Sequence, residues 1–117
     1  MRPSVLIVDD HAAFRESASA LLEAEGFDVV GAVADGEEAL AEVERLRPEI
    51  VLVDIQLPGL DGFGVAERLA KLVDAPMVIL ISSRDAHAYG GRVDAAPVRG
   101  FLAKRSLSGA ALAGLVR

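Results

Sequence analysis

Short apolar runs alternate along this chain with stretches whose apolar residues recur at helical spacing. Val5-Leu6-Ile7-Val8, residues 27–32, Ile50-Val51-Leu52-Val53, Met77-Val78-Ile79-Leu80-Ile81 and Phe101-Leu102-Ala103 read as strands. Between the first two, Phe14, Ala18, Leu21 and Leu22 fall at i, i+4, i+7 and i+8, one helical face, and Gly26 is a stop signal. Ala39, Leu40, Val43 and Leu46 repeat the pattern over residues 37–46, which Pro48 closes. After the Pro58-Gly59-Leu60-Asp61-Gly62 loop, Val65, Ala66, Leu69 and Leu72 share a third helical face. Ser108 is placed to cap a last helix, with Leu107 and Leu112 as a hydrophobic staple.

Residues 86–99 break the rhythm. Gly90, Gly91 and Pro97 weaken any long helix, so the spacing predicts a short one over 86–93, ending before Pro97. Tyr89, Val93 and Val98 are the large apolar residues available to pin it. The segment is expected to be the most mobile part of the fold.

Strand–helix alternation five times over predicts an α/β fold, a parallel sheet with helices on both faces. At 117 residues one domain is expected, and 52% apolar composition suits a sheet buried on both sides. No linker, repeat or low-complexity segment divides it. Net charge is −6, which argues against nucleic-acid binding by this chain alone. Cysteine is absent, excluding disulfides and thiolate chemistry. No apolar run reaches the ~18 residues of a membrane span, and nothing at the N-terminus reads as a signal peptide. A cytoplasmic location is the expectation.

In such folds ligands bind beyond the carboxyl ends of the strands. Asp9 and Asp10 follow the first strand, Asp54 the third, Ser82 and Ser83 the fourth, and Lys104 the fifth. Carboxylates crowded on one rim repel unless a cation joins them. A hard divalent ion with oxygen ligands, Mg²⁺ or Mn²⁺, resolves this. Lys104 offers a point charge for a phosphate, and the Ser82 hydroxyl can donate to a phosphoryl oxygen. Together they suit in-line phosphoryl transfer to a carboxylate. Asp54 is the better nucleophile, because paired Asp9-Asp10 reads as the metal end.

Blander readings stand beside these. Asp9-Asp10 alone would pass as a solvated strand end, Ser82 and Ser83 as turn residues, Phe101 as core. The joint register of Asp9, Asp10, Asp54 and Lys104 favours a functional set. Ser83 chiefly leaves room for phosphate. His11 and His87 show no partner pair and receive no role. The acidic residues of 35–44 read as a solvated helix face.

Val5-Leu6-Ile7-Val8-Asp9-Asp10-His11, Val53-Asp54-Ile55-Gln56-Leu57-Pro58-Gly59-Leu60-Asp61-Gly62, Ser82-Ser83 and Gly100-Phe101-Leu102-Ala103-Lys104 resemble the markers of the CheY-like receiver family of response regulators. The likeness spans essentially the whole chain, residues 1–117, as one receiver domain. It implies a doubly wound five-stranded parallel sheet in the order 2-1-3-4-5. It implies that Asp54 accepts a phosphoryl group from a sensor histidine kinase. Asp9, Asp10, Asp54 and the Gln56 backbone carbonyl would hold Mg²⁺. Lys104 would pair with the phosphoryl group while Ser82 swings toward it and Phe101 turns inward. Gln56 and Arg84 occupy the positions that tune phosphoryl lifetime. Asp10-His11 and the Leu107–Leu112 ending are similar to the NarL-like branch, whose members carry a DNA-binding effector domain, absent from these residues. The signalling surface would be the fourth helix, fifth strand and fifth helix, through which a homodimer could form. The protein would then be a switch rather than a turnover enzyme, with transcription as its output.

Two departures stand out. Arg105 replaces the family's frequent proline after the lysine, leaving the loop shape open. Phe101 lacks the tyrosine hydroxyl of some relatives. A phosphate-independent interaction module is the alternative, opposed by the intact acidic, serine and lysine set. A phosphohydrolase is a third class, opposed by Gln56 at the place where a second aspartate would serve as acid–base.

Overall fold

The structure is a computed structural model and describes residues 2–117. Strands β1 (Ser4–Val8), β2 (Asp28–Val33), β3 (Ile50–Asp54), β4 (Met77–Ser82) and β5 (Gly100–Ala103) alternate with helices α1 (Ala12–Ala24), α2 (Gly36–Leu46), α3 (Gly62–Leu69), α4 (Arg92–Ala95) and α5 (Gly109–Val116). All pairings are parallel, in the order β2-β1-β3-β4-β5 expected from the sequence.

Because side chains alternate across a strand, each strand feeds two cores. Leu6, Val8, Val51, Val53, Val78 and Leu80 face one side, where Val43 of α2 and Val65, Ala66 and Leu69 of α3 cover them. Val5, Ile7, Ile50, Leu52, Ile79 and Ile81 face the other, under Ala18 and Leu22 of α1 and Leu112 of α5. Leu107 and Leu112 join this second core, as the staple reading requires.

Helix starts follow local chemistry. The Asp35 carboxylate accepts from the Glu38 amide at 2.8 Å, Asp61 from Gly64 at 2.9 Å, and the Ser108 hydroxyl from Ala111 at 3.0 Å. Glu37 and Glu38 lie exposed in the first turn of α2, a favourable place for negative charge. Gly26 ends α1 at φ 103°, a conformation that glycine adopts without a steric penalty.

Two expectations need correction. Helix α3 stops at Leu69, so Leu72 is not on its buried face but 38% exposed in the turn beyond. The helix expected over 86–93 is not continuous. A 3₁₀ turn at Ala86–Tyr89 is cut off by Gly90 at φ 62°, and α4 begins afresh at Arg92. It does end before Pro97, and no residue from 86 to 99 is fully buried. The Lys104–Arg105 peptide is trans and opens a 3₁₀ turn over Lys104–Ser106.

Candidate functional site

Sheet register assembles the rim. Val8 pairs with Val53, so Asp9 and Asp54 emerge side by side from neighbouring strands. Ser82 pairs with Ala103, which sets Lys104 just beyond Ser82. The Asp9 amide donates to Val33 O at 3.0 Å and the Ile55 amide to Ile81 O at 2.9 Å, carrying the ladder one residue past each strand. Gly62 lets α3 start hard against this point: a Cβ there would lie 2.5 Å from the Asp54 carbonyl oxygen.

Asp9 and Ser82 are fully buried and Asp54 is 2% exposed, whereas Asp10, Gln56, Ser83 and Arg84 are exposed. Lys104 Nζ lies 2.6 Å from Asp9 Oδ2 and 3.2 Å from Asp54 Oδ2, a single ammonium bridging two carboxylates. The Gln56 amide donates to Asp54 Oδ1 at 3.1 Å. Burial pushes the Asp54 carboxyl above its ordinary range, and Asp9 pushes it the same way. The Gln56 amide bond and Lys104 offset only part of this. For Lys104 burial works against the ammonium, but the Asp9 hydrogen bond and the Asp54 charge prevail and raise its pKa.

Oxygen and nitrogen atoms of Asp9, Asp10, His11 and Asp54 all lie within 4.8 Å of one another. Three carboxylates therefore crowd one rim while the ammonium reaches only two of them, and the set of hard oxygen donors fits a divalent cation of the Mg²⁺ kind.

Several contacts at the rim escaped the sequence reading. His11 Nδ1 is 3.2 Å from both Asp9 Oδ1 and Asp10 Oδ1. Arg15 donates to the Asp9 carbonyl at 2.8 Å, bracing the β1–α1 turn. The Lys104 ammonium sits 4.7 Å above the Phe14 ring, a cation–π contact from a residue that spacing marked only as core. Arg105 forms an exposed ion pair with Asp85, tying the loop after β5 to the loop after β4. Arg105, which left the loop shape open in the sequence, thus supplies a tether of its own.

Phe101 is half-buried against the α3-side core. A tyrosine hydroxyl is present after all, from another element: Tyr89 Oη lies 2.5 Å from Ser82 Oγ. The signal for it was a buried hydroxyl at Ser82 in need of a partner.

A cavity of about 570 Å³ opens at the opposite, N-terminal edge of the strands, lined by Val43, Glu44, Arg47, Leu72 and Pro76 among others. It includes none of the rim residues. Among the described residues no helix is long and apolar enough to cross a membrane.

Residues 5–114 match the response regulator receiver domain. DNA-binding response regulator MtrA of Mycobacterium tuberculosis is 40% identical over 85 residues, 73% of this chain and 37% of that protein. Protein-glutamate methylesterase/protein-glutamine glutaminase 5 of Myxococcus xanthus is 45% identical over 80 residues, 68% of this chain and 23% of that protein. The matched region thus spans between about a quarter and about a third of these two relatives. Among solved structures, the signal receiver domain of NarL from Mycobacterium tuberculosis superposes with a TM-score of 0.89 at 30% identity, covering 98% of this chain and 96% of the other. The strand order, the acidic rim and these likenesses agree: the chain belongs to the response regulator receiver domain family of two-component systems.

Proposed function

We propose that this receiver takes a phosphoryl group on Asp54 from a sensor histidine kinase. The observation that supports this most is the Lys104 ammonium held between Asp54 and Asp9 at the mouth of a buried carboxylate. One Asp54 carboxylate oxygen attacks phosphorus in line, the bond from phosphorus to the donor breaks, and an aspartyl-phosphate forms. Lys104 then exchanges part of its contact with the carboxylates for the phosphoryl oxygens. The Ser82 hydroxyl donates to one of those oxygens, and exposed Ser83 leaves room for them. Asp9, Asp10, Asp54 and the Gln56 main-chain carbonyl would hold Mg²⁺, with Mn²⁺ able to substitute, and that ion supplies positive charge to the transferring group. Gln56 and Arg84, exposed on either side of the rim, set how easily water reaches the phosphoryl group. Phe101 belongs to the same response.

The product is a conformational signal rather than a released metabolite. Its surface is α4, β5 and α5, which is also the face through which two copies would pair. MtrA is DNA-binding and the Myxococcus xanthus relative is a methylesterase, so receivers of this kind control different outputs. For this chain the likeness to DNA-binding MtrA favours transcription as the output, with DNA contacted by an effector domain outside residues 1–117, in the cytoplasm.

The test is incubation with acetyl phosphate and Mg²⁺ followed by intact mass. One phosphoryl group is expected on the parent and none on Asp54→Asn. Full labelling of Asp54→Asn would place the phosphate elsewhere. A parent that never labels would leave the phosphate-independent interaction module standing.

A further inference from the structure

Ser82 Oγ is fully buried and has two neighbours that can share a hydrogen bond with it. The Arg84 amide donates to it at 3.0 Å, and Tyr89 Oη lies 2.5 Å away. An amide can only donate, so it cannot take the Ser82 proton. Tyr89 Oη can take that proton, and the half-exposed phenol then has its own hydrogen free for the solvent side.

Ser82 has only one proton. A phosphoryl oxygen on Asp54 would be a second, stronger claimant, since a charged acceptor forms roughly twice as strong a hydrogen bond as a neutral one. Both demands cannot be met together. Once the proton turns to the phosphoryl group, Tyr89 must either reverse its bond and donate, or leave.

What Tyr89 holds matters as much as what holds it. Its ring meets Phe63 edge-on, with centroids 5.9 Å apart. Arg92 of α4 lies 4.2 Å over the same Phe63 ring and 4.0 Å from Asp61, the α3 cap. Tyr89 and Arg92 flank the Gly90-Gly91 break and grip α3 from either side of it. No residue of 86–99 is fully buried, so these contacts and a few half-buried aliphatic ones are what fix the segment.

We propose that Tyr89 is a positioning residue of the phosphoryl switch: in the resting state its phenol occupies the Ser82 hydroxyl, opposes the phosphoryl group, and keeps residues 86–95 docked on α3. The inference rests on Asp54 being the phosphoacceptor. It assigns the hydroxyl half of the readout to Tyr89, beside the ring half expected of Phe101. Linkage is reciprocal: if the adduct weakens the Tyr89 bond, deleting that bond favours the adduct.

The chain has one tyrosine and no tryptophan, so its tyrosine emission reports Tyr89 alone. Beryllofluoride with Mg²⁺ serves as the phosphoryl probe, acetyl phosphate as the donor. In the parent, beryllofluoride should change Tyr89 emission and its quenching by iodide. Ser82→Ala should show the changed emission before any probe is added. Tyr89→Phe keeps the ring and its Phe63 contact and loses only the hydroxyl. It should bind beryllofluoride about three- to ten-fold more tightly than the parent, the range that one net hydrogen bond supplies. Tyr89→Leu, which also removes the edge contact, separates loss of the ring from loss of the hydroxyl. Parent Asp54 adduct with unchanged Tyr89 emission, or Tyr89→Phe with equal or weaker beryllofluoride affinity, would overturn the inference alone. A parent that forms no adduct on Asp54 would overturn the phosphoacceptor reading and this inference with it.

Discussion

Helix α3 and the segment from Ala86 to Ala95 lie on the same face of the sheet and are built in opposite ways. Helix α3 buries Gly62, Phe63, Val65, Ala66 and Leu69, and its first residue touches the Asp54 backbone. The later segment buries nothing fully, splits at Gly90-Gly91, and is held by one edge contact between rings, one arginine and a few half-buried aliphatic contacts. Phosphoryl chemistry needs a fixed carboxylate, because small misplacements cost large factors in rate. A readout needs an element whose alternative position is close in energy, and such elements come from the weakly held parts of a fold. Helix α3 and the later segment divide these requirements between them.

The contrast can be attacked at its glycines. Gly62→Ala forces a Cβ against the Asp54 carbonyl oxygen at 2.5 Å and the Ile55 Cα at 2.7 Å, both backbone atoms that cannot step aside. A loss of about 3 kcal/mol is expected, read as a fall of roughly 10 °C or more in Tm, together with impaired phosphorylation. A Tm within a degree or two of the parent would show that the site floor is not tightly packed.

Asp54 itself should prove a thermodynamic burden. Burial raises its pKa, so folding favours the protonated carboxyl, and this group's contribution is full below the ordinary carboxylate pKa. It is lost as pH rises through the raised value. Asp54→Asn removes that loss. The variant should be more stable than the parent at pH 7. The gap should close as pH falls below the ordinary carboxylate range. Denaturant melts at the two pH values check it, and a variant less stable at pH 7 would contradict the electrostatic account.

The smallest effect belongs on the other side of the comparison. A Cβ at Gly91 meets nothing within 4 Å, and the backbone there is at φ −84°. Gly91→Ala should change stability by less than about 1 kcal/mol. A loss as large as that of Gly62→Ala would mean that the segment is packed as firmly as α3.

Most of the fold was legible because strand period and helix period are local signals, and the placement of the rim residues was legible because each ends or directly follows a strand. Asp9, Asp54, Ser82 and Lys104 converge for that reason alone. What escaped depends on tertiary neighbours that spacing does not encode. Phe14 counted correctly as an apolar position, but not as the ring beneath Lys104. Tyr89 was seen as an apolar anchor, while its hydroxyl found a serine on a different element. Leu72 kept helical spacing after the backbone had already turned at Leu69, since periodicity continues through a helix end that carries no breaker. Gly90-Gly91 signalled weakness at the right place. Whether that meant a short helix or two separate turns depended on Gly90 taking a positive φ.

Hydrogen exchange with and without saturating beryllofluoride and Mg²⁺ tests the division of labour most directly. The amides of residues 86–99 should exchange faster than those of Val78 to Ile81 in the free protein and change protection when the probe binds, while α3 changes little. Protection in 86–99 equal to that of β4, unaltered by the probe, would contradict the account and move the output surface to another face.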